Sequence, residues 1–116
     1  VSYDVYLYAT EKTPCPHCGN QVTKKREEVF HRNYTSNTAC MWDKAGAPLR
    51  DWDGRTARDV APMLESAILD MTTHPAKYDV MNPANGWGSR EGAIGFLAAI
   101  LRACGEHPDA VMEISR

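Results

Sequence analysis

Apolar and polar positions alternate from Ser2 to Ala9, with Val5 and Leu7 on one face and Tyr6 and Tyr8 on the other. That period of two predicts a strand. A second alternation from about Glu27 to Tyr34 sets Val29, His31 and Asn33 against Phe30 and Arg32, and predicts a second strand. A Cys-x-x-Cys knuckle and a polar run, Asn20 to Arg26, lie between them. The two strands are therefore expected to pair antiparallel, bridged by the knuckle loop.

The pattern then changes to a helical period. Thr35, Ser36 and Asn37 are three successive N-cap residues. They predict a short helix through Met41 and Trp42, stopped at Gly46 and Pro48. Asp51-Trp52-Asp53-Gly54 reads as a turn. Thr56-x-x-Asp59 resembles a capping box with the shorter acid, and opens a helix carrying Val60, Leu64, Ala67, Ile68 and Met71 on one stripe. Pro62 sits too deep for a clean first turn and predicts a kink or a delayed start. His74-Pro75 ends that helix, Ala76 to Met81 allows one more short helix, and Asn82 to Gly88 is a loop. Ser89 caps the last helix, where Ala93, Ile94, Phe96, Leu97, Ile100 and Leu101 wrap almost all round, which makes it central to the core. Gly105 and Pro108 close it, and Ala110 to Ser115 alternates as a final strand.

This order predicts an α+β fold. A small antiparallel sheet of about three strands, an N-terminal hairpin plus a C-terminal strand, is packed by three to four helices. At 116 residues and 43% hydrophobic, with no repeat or linker, residues 1–116 read as one domain.

Charge and targeting signals narrow the partners. Thirteen basic residues face fifteen acidic ones, a net charge of −2, which argues against a dedicated electrostatic nucleic-acid binder. The basic run Lys24-Lys25-Arg26 is followed at once by Glu27-Glu28 and reads as a solvated turn. No apolar run approaches the roughly 18 residues a membrane span needs. Val1-Ser2-Tyr3-Asp4 shows neither the basic nor the apolar segment of a secretion signal, so a cytoplasmic setting is expected.

Cys15 and Cys18, in Pro-Cys-Pro-His-Cys-Gly, form half of a tetrahedral zinc site. A structural Zn2+ needs two further ligands. His31 on the second strand and Cys40 in the first turns of the short helix are the best-placed candidates, and a metal shared across a homodimer axis is the other route. A tight turn with two free thiols explains the pair equally well. Cys-Pro-His-Cys also matches a redox tetrapeptide, but such a thiolate needs a helix N-terminus, and the residues after Gly19 carry no helical period. Cys104 falls on the apolar face of the last helix and reads as a small core hydrophobe.

Two polar segments could hold a ligand. Asn82-Pro83-Ala84-Asn85-Gly86-Trp87-Gly88-Ser89 delivers the chain into the last helix through two glycines that leave backbone amides uncovered. Such amides at a helix N-terminus suit an anion, with Trp87 as a stacking face and Arg90 as a counter-charge. Asn33-Tyr34-Thr35-Ser36-Asn37 lies likewise at a strand end opening a helix. The two are expected to converge on one pocket walled by Tyr34 and Trp42. Its residues would be Asn33, Tyr34, Thr35, Asn37, Trp42, Asn82, Asn85, Gly86, Trp87, Gly88, Ser89 and Arg90. Ordinary turn chemistry and capping account for the same residues without a ligand. No Gly-x-Ser-x-Gly, His-Glu-x-x-His or P-loop is present, and Asp51, Asp53 and Asp59 are explained by one turn and one helix cap, so an enzyme is not the expectation.

Asn33-x-Thr35-x-Asn37, Met41-Trp42, Asn82-Pro83-x-Asn85-Gly86-Trp87-Gly88 and the ending Ile114-Ser115-Arg116 resemble small uncharacterised proteins of actinobacteria and their phages. The resemblance runs from about Glu28 onward, and Asn-Pro-x-Asn-Gly-Trp-Gly is its most specific part. A Cys-x-x-Cys knuckle after the first strand is common in that family. The resemblance implies a phage or prophage setting and no particular activity. The functional expectation is a non-enzymatic accessory protein that binds a small polar or nucleotide-like ligand. A zinc-knuckle domain for protein or nucleic-acid interaction is the alternative.

Overall fold

The computed structural model describes residues 2–14 and 16–116, with residues 11–14 and 21–25 described by their backbone alone. Strands β1 (Ser2–Pro14) and β2 (Gln21–Thr35) pair antiparallel, from Ser2 opposite Thr35 to Pro14 opposite Gln21. Strand β3 (Val111–Ser115) pairs with the other edge of β1, from Asp4 opposite Ser115 to Tyr8 opposite Val111. The sheet is three-stranded in the order β2-β1-β3 and is packed by α1 (Ala39–Ala45), α2 (Ala57–Thr73), α3 (Pro75–Asp79) and α4 (Arg90–Glu106). This is the expected α+β architecture.

Alternation along β1 sorts its two faces. Tyr3, Val5 and Leu7 are buried against the helices, while Asp4, Tyr6 and Tyr8 lie half-buried on the opposite face. Both hairpin strands run further than the alternation predicts. Past Tyr8–Val111 the described residues show only the β1–β2 ladder, and Thr10, Arg26, Glu27 and Glu28 there are exposed. Strand pairing without burial imposes no apolar period, so this part of the ladder carries no such signal.

The core lies between the sheet and the α2–α4 pair. Trp42, Trp52, Tyr78, Leu64, Leu97, Ile100 and Met112 are fully buried in it. Trp42 sets its edge against Tyr3 at 5.4 Å between centroids and packs on Phe96 at the same separation. Cys104 is buried as expected, and loss of solvation pushes its thiol up to about 11.

Helix ends follow local chemistry in α1 and α4 but not in α2. Gly46 takes φ 98° and closes α1, with the Ala47 amide donating to the Trp42 carbonyl at 2.8 Å. Helix α2 starts at Ala57 without delay and runs through Pro62 to Thr73. Thr56 makes no side-chain cap bond, so the expected capping box does not form. Chain segments far away in sequence satisfy the first amides instead: Ala57 donates to Ala110 at 2.8 Å and Arg58 to Pro108 at 3.0 Å. The adjoining segment seals the outer edge of β3. The Gly54 amide donates to the Met112 carbonyl and the Met112 amide to the Arg55 carbonyl, each at 2.8 Å, and the Ile114 amide donates to the Asp53 carboxylate at 2.9 Å. Asp53 is thereby spent on that edge.

Candidate functional site

The two polar segments meet where the end of β2 abuts the start of α4. Thr35 turns the chain by accepting from the Asn37 amide at 3.3 Å, and the buried Thr38 hydroxyl donates back to the Thr35 carbonyl at 3.0 Å. The methyl groups of both threonines then form a seat for Gly88. A Cβ built on Gly88 would stand 2.6 Å from one methyl and 2.8 Å from the other, and its φ of +103° excludes other residues independently. One residue on, the Ser89 amide donates to the Tyr34 hydroxyl at 3.1 Å. Gly92 completes the junction, since a side chain there would overlap the Tyr34 hydroxyl. Tyr34 is thus held between β2 and the first turn of α4, with its ring 5.7 Å from Phe96.

A cleft of about 620 Å³ opens over this junction, lined by Ser2, Asn33, Tyr34, Thr35, Asn37, Asn85, Trp87 and Gly88. The volume lies in the range of small-molecule sites. Two features preorganise the walls. The Asn33 carboxamide donates to Ser2 at 2.9 Å and to Asp4 at 3.0 Å, and His31 bonds the same Asp4 oxygen at 2.8 Å. These bonds from His31 and Asn33 hold the Asp4 carboxyl below its ordinary value. On the opposite wall, the Asn85 carbonyl oxygen accepts from the Trp87 amide at 3.0 Å. That Asx turn uses only one end of the carboxamide and holds an indole that is 69% exposed.

Five expected residues fall elsewhere. Trp42 is fully buried beside Tyr3 and Phe96 and does not wall the cleft. Gly86 takes φ +75° in the exposed loop, outside the lining. Asn82, Ser89 and Arg90 line a separate depression with Asp79 and Glu91. Three amides of the expected anion seat at the start of α4 are engaged internally. The Arg90 amide donates to Asn82 at 3.0 Å, the Gly92 amide to the Ser89 hydroxyl at 3.0 Å, and the Ser89 amide to Tyr34. Arg90 is no counter-charge for the cleft, because Asp79 pairs with its guanidinium at 2.7 Å and the Met71 carbonyl lies 3.4 Å away. Among the described residues that line the cleft, none carries a charge at neutral pH.

Ser2 is the one lining residue that the sequence reading missed. Its signal was the register: once β1 and β2 pair, Ser2 stands opposite Thr35 and beside Asn33. The choice among possible registers is set by long-range packing, which no local pattern displays.

Of the expected zinc ligands, the described ones, Cys18, His31 and Cys40, are not brought together. Cys15 lies outside the described residues, and Cys18 is exposed in the hairpin turn. His31 stands opposite Tyr6, stacked on that ring at 4.5 Å and bonded to Asp4. At about 3.3 Å per residue, roughly 25 Å of ladder separates it from the closing Pro14–Gln21 pair. Cys40 sits in the first turn of α1, its sulfur directed to the Asn37 carbonyl. Among the described residues no three His, Cys, Asp or Glu side chains converge to hold a metal ion.

The cleft adjoins the helix-free face of the sheet. There Tyr6 stacks on His31 and lies against Tyr8 at 6.0 Å, and Arg26 covers the Tyr8 ring at 3.7 Å while pairing with Glu113 at 3.4 Å. These rings spend their faces on one another, which leaves Trp87 as the open aromatic surface near the cleft. None of the described helices is long and apolar enough to cross a membrane. Compared with models of protein families, with curated proteins and with solved structures, the chain matches none.

Proposed function

We propose that this chain is a non-enzymatic binding module that holds a small polar ligand in the cleft between residues 33–37 and 85–88. One observation carries the reading. Two polar segments some fifty positions apart meet over a cleft lined by carboxamides, hydroxyls and one exposed indole, whose walls are tied by hydrogen bonds. A few fixed polar groups around an open aromatic face are the usual composition of a small-molecule site. In the phage or prophage setting that the sequence resemblance implies, such a module would act as an accessory protein sequestering its ligand in the host cytoplasm.

Thermal unfolding against a panel of nucleosides, nucleotides, sugars and amino acids tests this. A true ligand at a hundred times its Kd stabilises the fold by about 2.7 kcal/mol. Trp87→Ala should leave the unliganded transition in place, because the indole is exposed, and abolish the ligand-induced shift. A panel without a single stabilising compound, or a shift that survives Trp87→Ala and Asn85→Ala, would sink the reading.

A further inference from the structure

Resting on the cleft reading above, we infer that the ligand is an uncharged nucleobase or nucleoside, recognised by its ring and not by a phosphate. Three observations carry this. First, among the described residues the cleft lining offers no charge partner: it consists of hydroxyls, carboxamides, a phenol, an indole and a glycine. Second, three of the four amides at the start of α4 that would have received a phosphate are already engaged. The α4 amides of Ser89, Arg90 and Gly92 bond to Tyr34, Asn82 and Ser89, and Arg90 is held by Asp79. A phosphate placed there would have to displace those internal bonds, which is unfavourable. Third, the groups that remain match a base. A carboxamide presents a donor and an acceptor side by side, the arrangement that pairs with the edge of a purine or pyrimidine. Asn37 brings one such group to the rim, Asn85 adds the amino end of a second whose oxygen holds the Trp87 amide, and Trp87 supplies the flat face on which a ring stacks.

The same chemistry separates a free nucleoside from a base within a strand. A strand needs cations along its backbone. The described rim supplies none, and the chain carries a net charge of −2. The occupant is therefore a free nucleoside or base.

Isothermal titration calorimetry on the whole chain tests the inference, with the four ribonucleosides, their 5′-monophosphates, a short single-stranded oligonucleotide and neutral monosaccharides as probes. The expected result is that at least one nucleoside binds and that its 5′-monophosphate binds no tighter. Its Kd should stay within about twofold between low and high salt, since no counterions are released. Trp87→Ala should weaken it about tenfold or more, the scale of one base–aromatic stack. Asn37→Ala and Asn85→Ala should weaken it and shift the preference among bases. Binding that requires the phosphate or the strand and falls steeply with salt would overturn the inference. So would a monosaccharide that binds in a Trp87-dependent way where nucleosides do not, although the cleft would then remain a small-ligand site. If no compound binds at all, the inference fails together with the cleft reading.

Discussion

Gly92 and Gly95 are the same residue one turn apart on α4, yet their surroundings give substitution opposite signs. A methyl group on Gly95 meets nothing within 4 Å, whereas one on Gly92 collides with the Tyr34 hydroxyl. Gly95→Ala should stabilise the protein by about 0.5–1 kcal/mol through reduced backbone entropy. Gly92→Ala should destabilise it by about 1–3 kcal/mol, the usual cost of overpacking. Tyr34→Phe by itself forfeits about 1 kcal/mol with the Ser89 bond. It should cost less in the Gly92→Ala background, where the hydroxyl is the clashing atom. Urea midpoints of the four variants check this, and shifts of the same sign for Gly92→Ala and Gly95→Ala would refute the account. Neither glycine was distinguishable in sequence, because the partner that decides the matter lies on another element 58 positions away. Trp42 and Trp87 make the same point. A seven-residue helix such as α1 is too short to display a period, so nothing local marked Trp42 as core and Trp87 as surface.

At the scale of elements, the joint between α2 and α3 is an acid-sensitive latch. Asp70, in the last turns of α2, accepts from the Tyr78 hydroxyl and from Lys77 at 2.9 Å, with His74 at 3.1 Å from its other oxygen. The bond from buried Tyr78, then that from Lys77, holds the Asp70 carboxyl below its ordinary value of 3.8. A lowered folded-state value means that the carboxylate's contribution is fully present above 3.8 and is lost as pH falls through the lowered value. Asp70→Asn should therefore lower Tm near neutral pH, and its curve should converge on that of the wild type deep in the acid range. Thermal melts over a pH series check this; parallel curves would mean that the latch does not titrate. Elements with strong periods were legible in the sequence: the Ser2 to Ala9 part of β1, the apolar body of α4 and the Ser89 cap all stand where patterning put them. Helix α2 opens after Thr56, as the capping pattern indicated, but the means was misread: Thr56 and Asp59 look like a local cap, while the amides are satisfied by Pro108 and Ala110. Backbone partners of that kind leave no trace in residue identity.

Over the whole molecule, the hairpin sets the two chemically distinctive regions apart. The cleft lies at the Ser2–Thr35 end of the ladder and the cysteine turn lies past the Pro14–Gln21 end, roughly 40 Å away by strand rise. The molecule measures 58 × 26 × 19 Å, long enough for that separation. Much of the cleft was legible because its polar residues cluster in two short runs. The missing part was that capping and turn bonds consume the amides of the second run, which only the folded geometry reveals. The tryptophan distribution has an optical consequence. Of three tryptophans, Trp42 and Trp52 are fully buried, and only Trp87 is exposed, on the cleft wall. Intrinsic emission should therefore divide into a blue, quencher-resistant component from the core and a red component that iodide reaches. Trp87→Phe should remove the red component and leave the blue one intact. A spectrum that iodide quenches uniformly in both proteins would contradict the arrangement. The chain thus carries its own fluorophore at the mouth of the cleft, and occupancy there can be read from the unlabelled wild-type protein.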